Sequence, residues 1–202
     1  MIAAQHSKDR NNHCLIFQRE IRDSKMNFEI KKLAWLKAVM LAAAKNDVRY
    51  CLNSVMVRNG ELVATNGHML LLIKSESIKS DGEYIIDNDT LKMIVKSHKG
   101  IKGDNRVEVV DSMTITGGSE ISITPVDWNY PNFNRVIPQE TSGEIAHFNA
   151  EYLLACQKAN GEFLGRKNAY IKLQHNGLSG AKFESDDEND NKLIGVVMPV
   201  RI

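Results

Sequence analysis

The chain has 202 residues, of which 43% are hydrophobic and 25% charged, so it can form a sizeable core in one or two domains. Its formal net charge of +1 excludes a compact nucleic-acid binder held by overall charge; such contacts would need uneven placement of charge. Cys14, Cys51 and Cys156 form no CxxC pair and no zinc spacing. With no apolar run of membrane-spanning length and no export signal, the composition predicts a cytoplasmic protein with reduced thiols.

The first quarter of the chain predicts a polar tail, a strand and a helix. Residues 1–25 are expected to be a disordered tail or the product of a start codon placed too early, and a partner-binding tail is the alternative. Residues 26–30 are expected to form a strand. Residues 31–45 predict a helix, because Leu33, Leu36 and Met40 recur on one face at helical spacing.

The next segment predicts a meander of strands. Residues 49–57 are rich in β-forming residues, and residues 61–73 predict a returning strand pair broken at Asn66-Gly67. Asn59-Gly60 between them predicts a hairpin turn, because both residues tolerate positive φ.

The middle of the chain repeats this order. A strand over residues 84–86 is followed by the capping sequence Asp87-Asn88-Asp89 and by a helix over residues 90–98, with Gly100 expected as a left-handed cap. Strands are expected over residues 107–110, 112–116 and 120–124, with Gly117-Gly118 as a turn.

The last third follows a linker rich in proline and asparagine, residues 125–138. Asn149 is expected to cap a helix over residues 150–159, ended by Asn160-Gly161. Strands are expected over residues 170–173, 180–183 and 193–200. The acidic run 184–191 predicts a solvated hairpin tip and fits an EF-hand poorly, because it lacks the spaced ligands, central glycine and closing glutamate.

The order of strand, helix and about three strands thus occurs three times, starting near residues 27, 83 and 145. An amphipathic sheet with one helix cannot bury its apolar face alone. The sequence therefore predicts an α+β fold of repeated units that pack against each other, with helices on one face of antiparallel sheets.

The residues give little indication of catalysis, and the sequence predicts no enzyme, no cofactor and no metal. His68 follows a turn with no nucleophile nearby, and Cys156 with His147 makes an unconvincing pair. No glycine loop for phosphate is present. An enzyme acting on nucleic acid is a minor alternative, since no suitably spaced acidic metal cluster is evident.

Four separated segments carry a resemblance to a known family. They are Arg49-Tyr50-Cys51-Leu52-Asn53, Thr65-Asn66-Gly67-His68-Met69-Leu70, the linker residues 130–138, and the carboxyl-terminal residues 196–202. In this order they resemble the bacterial DNA sliding clamp, the beta subunit of the replicative polymerase. The resemblance implies the DNA-clamp fold, with residues 26–138 as the family's complete middle domain and residues 139–202 as the second half of its last domain.

The resemblance also implies a hydrophobic pocket that binds peptides of DNA polymerases or repair proteins. Its expected residues are Leu52, Thr65, Gly67, His68, Met69, Leu70, Pro131, Arg135, Val136, Val196, Met198, Pro199, Val200, Arg201 and Ile202. Asn66 and Met69 replace an aspartate and an arginine of the family pattern, which makes the expected rim less polar. Without the resemblance, these residues would be interpreted as interior strand positions.

Helices at these places face duplex DNA in the sliding clamp family. The resemblance therefore implies sequence-independent DNA contact through Lys31, Lys37, Lys45, Lys92, Lys96, Lys99 and Lys158. A solvated helix surface is the alternative for these lysines.

An unpaired half-domain further predicts a homo-oligomer of two-fold character. The function expected is a processivity or scaffold protein, and the alternative is a phage- or plasmid-type decoy that competes for clamp partners without encircling DNA.

Overall fold

The computed structural model describes residues 25–99, 106–116, 119–124, 126, 128–140, 144–167, 169–177 and 179–201. Most of the predicted tail, Gly100, Gly117-Gly118 and Ile202 therefore lie outside the described residues. The first two expected units are present, whereas the third has its helix but only two strands within the described residues.

The first unit contains five strands and one helix within the described residues. They are β1 (Phe28–Ile30), α1 (Leu33–Met40), β2 (Ser54–Arg58), β3 (Glu61–Thr65), β4 (Met69–Lys74) and β5 (Ile78–Ser80). The hairpin turn at Asn59-Gly60 is confirmed, with Gly60 at φ +80°. Helix α1 is shorter than predicted, because the chain after Met40 leaves the helix and the Ala44 N–H donates to the Leu52 carbonyl at 2.8 Å.

The second unit follows the predicted order closely. It contains β6 (Tyr84–Asp87), α2 (Asn88–Ser97), β7 (Val107–Val109), β8 (Met113–Thr116) and β9 (Ser119–Ser122). The Asp87 side chain accepts hydrogen bonds from the backbone N–H groups of Asp89 and Thr90, which confirms the predicted cap.

The third unit corrects the predicted helix end. It contains α3 (Ala150–Leu164), β10 (Ala181–Asp186) and β11 (Lys192–Val197). Helix α3 runs through Asn160-Gly161 and ends at Gly165, which has φ +67°. Asn160 is tolerated inside the helix because it is buried and its side-chain amide donates to the Tyr170 carbonyl at 2.7 Å.

The strand predicted over residues 170–173 is wrong. Burial alternates along residues 169–174 as in a strand, but the segment makes only one isolated bridge, between Gln174 and Lys182, within the described chain. A β-strand needs a neighbour for its backbone groups, and no other described segment pairs with this one along its outer side. The predicted strands over 180–183 and 193–200 are observed with shifted ends, and the tip of their hairpin is exposed at Glu188, Asn189 and Asp190, whereas Asn191 is buried.

The largest sheet joins strands of all three units. Its strand order is β10-β11-β4-β3-β2-β6, and the β11–β4 pair is antiparallel. Alternate residues of each strand enter two separate cores, as the two-residue period of a strand requires. Leu71 and Ile73 face the helices, whereas Leu70 and Leu72 face the linker, so the sheet is buried on both sides.

Helices α1 and α3 pack together on one face of this sheet. The rings of Trp35 and Phe163 stack between them with centroids 6.2 Å apart. Within the described residues, no helix is long and apolar enough to cross a membrane.

Candidate functional site

A pocket of about 200 Å³ lies where the first unit, the linker and the last strand meet. We call it the junction pocket. Its walls come from four segments that are remote in sequence: Arg49 and Leu52; the turn and strand from Thr65 to Leu70; the linker from Pro131 to Val136; and Val196 with Met198. The pocket is open to solvent, and most of its wall is apolar.

The floor is fixed by a tight turn between β3 and β4. The Thr65 hydroxyl donates to the Met69 carbonyl at 2.8 Å and accepts the Gly67 N–H at 3.1 Å. The Asn66 side-chain oxygen accepts the N–H groups of His68 and Met69, both at 2.9 Å. Gly67 adopts φ +85°, a conformation that favours glycine, so this turn depends on its sequence.

The carboxyl-terminal strand forms the opposite wall. Val196 pairs with Leu70 in the sheet, and the Met198 N–H extends the ladder by donating to the His68 carbonyl at 2.8 Å. A Cβ on Gly180 would lie 2.9 Å from Val196 and 3.2 Å from the Met198 sulfur. The absence of a side chain at Gly180 therefore leaves Val196 and Met198 room at the pocket wall.

The linker supplies the third wall through a 3₁₀ turn, Phe133–Val136. Phe133 is buried and receives the Arg58 guanidinium 5.1 Å from its ring centroid. Val136 remains 44% exposed at the pocket mouth. An exposed apolar side chain beside an apolar cavity is a surface that a ligand can cover.

A charged rim borders this apolar surface. The Arg49 guanidinium forms two hydrogen bonds to the Asp47 carboxylate, at 2.8 and 3.0 Å, and lies close above Gly67. These hydrogen bonds lower the pKa of Asp47 to about 2 and raise the pKa of Arg49. The rim therefore carries an aligned ion pair at neutral pH.

His68 connects the turn to the third unit. Its ring stacks on Tyr152 of α3, with centroids 5.9 Å apart and planes only 8° from parallel. This stacking accounts for His68 as a pocket and packing residue without any catalytic partner.

Most of the residues predicted for the pocket line it. Those that do are Leu52, Thr65, Gly67, His68, Met69, Leu70, Pro131, Val136, Val196 and Met198. Pro199, Val200 and Arg201 do not, because the chain turns away after Met198 and the Val200 N–H donates to the His147 carbonyl at 2.7 Å. Arg135 is exposed and also points outside the lining, and Ile202 is not described.

Three lining residues were not predicted: Arg49, Asn132 and Phe133. All three stand inside the quoted segments, so the segments contained the signal. Phe133 could have been found as an aromatic residue two positions after the predicted Pro131.

The predicted lysines border several different grooves. Lys37 and Lys158 line a groove between α1 and α3, together with Arg166 and Lys167, which were not predicted, and with one acidic residue, Glu162. We call this the basic groove. Lys45 and Lys92 border a different groove, Lys31 a third, and Lys96 and Lys99 are exposed near the end of α2.

Charge pairing distinguishes these cations. Lys92 is held by Asp89 at 2.8 Å. Within the described residues, no acidic group forms an ion pair with the four cations of the basic groove. They are therefore available to a polyanion.

The described residues contain no group of three or more His, Cys, Asp or Glu side chains that could hold a metal ion. Burial raises the pKa of Cys156 to about 12, so this thiol is not a nucleophile.

Comparison with known proteins identifies the fold. No family model and no curated protein matches the chain. Solved structures do match: a DNA polymerase sliding clamp from Pseudomonas aeruginosa with ligand shares 20% identity over 88% of this chain and 66% of that one, with a TM-score of 0.65. A sliding clamp from Bartonella birtlesii bound to griselimycin shares 19% identity over 89% of this chain and 67% of that one, with a TM-score of 0.65. The DNA polymerase III beta subunit from Thermotoga maritima shares 16% identity over 89% of this chain and 66% of that one, with a TM-score of 0.66.

These similarities show that the chain has the sliding-clamp fold, which confirms the predicted α+β clamp architecture. The chain spans about two thirds of the length of these clamps.

Proposed function

We propose that this protein is a non-enzymatic clamp-like scaffold that binds short peptides of DNA polymerases or repair proteins in the junction pocket. The observation that carries the proposal is the convergence of four remote segments on one open apolar cavity. A chain that needed these residues only for its core would close over them, whereas here Val136 and Met198 remain accessible at the mouth.

The chemistry of the pocket suits a peptide with two or three apolar anchors. Burying each anchor contributes roughly 1.5–3 kcal/mol before the cost of ordering the peptide. Affinity in the micromolar range is the natural result. Met198 has a flexible thioether that can adapt to different side chains, which favours a pocket that accepts several partners.

Fluorescence anisotropy with a labelled clamp-binding peptide tests this proposal. We expect saturable micromolar binding, with griselimycin as a competitor, because a clamp of the same fold is bound to griselimycin. Absence of binding by folded protein at hundreds of micromolar peptide would refute it.

A matched pair of variants locates the binding. Val136→Asp places a carboxylate on the pocket wall, and we expect it to weaken binding at least tenfold. Asn134→Asp places the same charge in the same 3₁₀ turn but outside the lining, and we expect a change of less than twofold. Equal effects of the two variants would contradict binding in this pocket.

The proposal includes sequence-independent contact with duplex DNA through the basic groove. Phosphates attract lysine and arginine without reading bases, which suits a protein that slides. Lys37, Lys158, Arg166 and Lys167, which line this groove, support this role. We expect affinity for duplex DNA to fall with salt, and Lys158→Gln to reduce the slope of log affinity against log salt by about 1. Lys79→Gln, on β5, is the control.

The alternative function is a decoy that binds the same peptides without holding DNA. The nearly neutral net charge favours it. Retention on nicked circular DNA, with release on linearisation, identifies a clamp. Peptide binding with no measurable DNA affinity at low salt identifies a decoy.

The scaffold is also proposed to be a homo-oligomer, since residues 145–148 and 169–173 of the third unit lie in no strand ladder within the described chain, although β11 pairs with β4.

A further inference from the structure

The first two units show how one unit completes another. Strand β1 of the first unit pairs with β7 of the second, and β6 of the second pairs with β2 of the first. Each unit thus donates its first strand to the second strand of the other. The exchange is reciprocal, so one approximate two-fold relation satisfies both edges.

The other side of each first strand is covered from within its own unit. In the first unit β5 pairs with β1, and in the second the Val126 N–H donates to the Ile85 carbonyl of β6 at 3.1 Å. The third unit repeats this contact, because the Val200 N–H donates to the His147 carbonyl at 2.7 Å. Residues 145–148 therefore occupy the place of a first strand.

The third unit lacks the reciprocal half of the arrangement. Residues 145–148 and 169–173 make no backbone ladder with each other or with another described segment. One end of the second segment is covered by the chain itself, where the Asn176 side chain donates to the Glu140 carbonyl at 3.3 Å. Within the described residues, the rest of both edges pairs with no other segment, and we call the third unit, residues 145–197, the open unit.

Exposure of apolar side chains coincides with these edges. Ile145 is 91% exposed and Tyr170 is 89% exposed, one on each segment. Burial alternates from residue 169 to 174, with Tyr170, Lys172 and Gln174 outward, so the segment already has the shape of a strand. Near its end, the buried His175 Nδ1 and Asn176 Oδ1 have no hydrogen-bond partner.

We propose that a second copy of this chain completes the open unit by reciprocal strand pairing, with residues 145–148 of each copy against residues 169–174 of the other. In an isologous two-fold pair, the first-strand segment of each copy pairs with the second-strand segment of the other, so the chain's own two segments complete both copies. An unrelated partner would need two strand edges of its own in the matching positions. The same exchange already holds the first two units of this chain together. The inference deepens the proposed scaffold by naming its partner, and it does not require that the junction pocket bind a peptide.

The test is the mass of the full chain in solution. Sedimentation velocity from 1 to 100 µM is expected to show a dimer that dissociates on dilution. Tyr170→Asp and Ile145→Asp are each expected to raise the dimer dissociation constant at least tenfold. Val48→Asp, which replaces another apolar side chain that is 88% exposed, is the control and should leave the constant unchanged.

A second measurement needs no variant. Amide hydrogen exchange of the unmodified chain should slow in residues 145–148 and 169–174 as the concentration rises through the dissociation constant. A monomer at every concentration, or a dimer in which these amides stay unprotected, overturns the proposal.

Peptide anisotropy on the Tyr170→Asp protein separates the two proposals. Retained peptide binding by a monomer shows that the pocket functions without the second copy. If the unmodified protein is a dimer and binds no peptide, the proposed peptide function is refuted and the proposed strand pairing still stands.

Discussion

The paired units and the open unit have the same order of elements but different backbone pairing. Across residues 28–122, first and second strands lie in ladders and their apolar residues are buried. Across the described residues between 145 and 197, only β10 and β11 lie in regular ladders, with each other and, for β11, with β4, and the first and second strand positions remain single. Local sequence thus determines which segments are extended, whereas a ladder needs a neighbour in addition.

The largest expected difference between these regions is the cost of removing a leucine. Leu71→Ala in β4 removes a fully buried side chain, and we expect a loss of about 3 kcal/mol of unfolding free energy. Leu173→Ala in the open unit removes a half-buried one and should cost about 1 kcal/mol. Urea unfolding at low protein concentration measures both. Equal costs would show that the open unit is packed as tightly as the paired units.

The next effect concerns the one regular hairpin of the open unit. A Cβ on Gly195 would lie 1.9 Å from the Phe183 ring. We expect Gly195→Ala to destabilise the protein by about 2 kcal/mol through overpacking. Phe183→Leu removes the obstructing ring, so a double-mutant cycle should show a favourable coupling between the two changes. Additive effects would mean that the clash is relieved elsewhere.

A smaller effect is expected at the helix starts. Asp87 accepts two backbone N–H groups of α2, whereas Asn149 accepts one of α3. Asp87→Ala should cost about 1 kcal/mol, and Asn149→Ala should cost less. Asp87→Asn retains an acceptor oxygen and is the control. Thermal unfolding of the two alanine variants measures which one is less stable. A larger loss for Asn149→Ala than for Asp87→Ala would show that α3 depends more on its cap than on packing.

The smallest effect is electrostatic and lies at the rim of the junction pocket. The Asp47 pKa is lowered to about 2 by its hydrogen bonds with Arg49. A lowered pKa in the folded state stabilises the fold above the unfolded value, near 4, and this contribution disappears as the pH falls through about 2. Arg49→Ala should move the Asp47 pKa upward, as measured by carbon-detected NMR titration, while Arg135→Ala should not.

The sequence predicted most strands and turns of the paired units because their signals are local, but it missed β5 and assigned Tyr50–Leu52, a 3₁₀ turn, to a strand-forming run. The run from Met69 to Ile73 is apolar throughout, and the structure explains this by burying both faces of β4. Asn59-Gly60 and Asp87 act within a few residues of themselves. Such signals do not depend on what packs nearby.

The failures depended on distant contacts. Asn160-Gly161 is a typical helix end, but burial and a hydrogen bond to the Tyr170 carbonyl keep Asn160 inside α3. Residues 170–173 have a strand's composition and no ladder, which local sequence cannot reveal. At the pocket, the segments were found through resemblance to a family, while the departure of the chain after Met198 depends on a hydrogen bond to His147.

The assembly of the junction pocket from four remote segments has a thermodynamic consequence. The pocket exists only when Leu52, Leu70, Phe133 and Met198 have been brought together, so an unfolded chain offers a ligand nothing comparable. A ligand present at 100 times its dissociation constant would then add about 2.7 kcal/mol to the unfolding free energy. Melting temperature can therefore be used to screen candidate peptides before any of them is labelled, because every occupant of the cavity has to raise it.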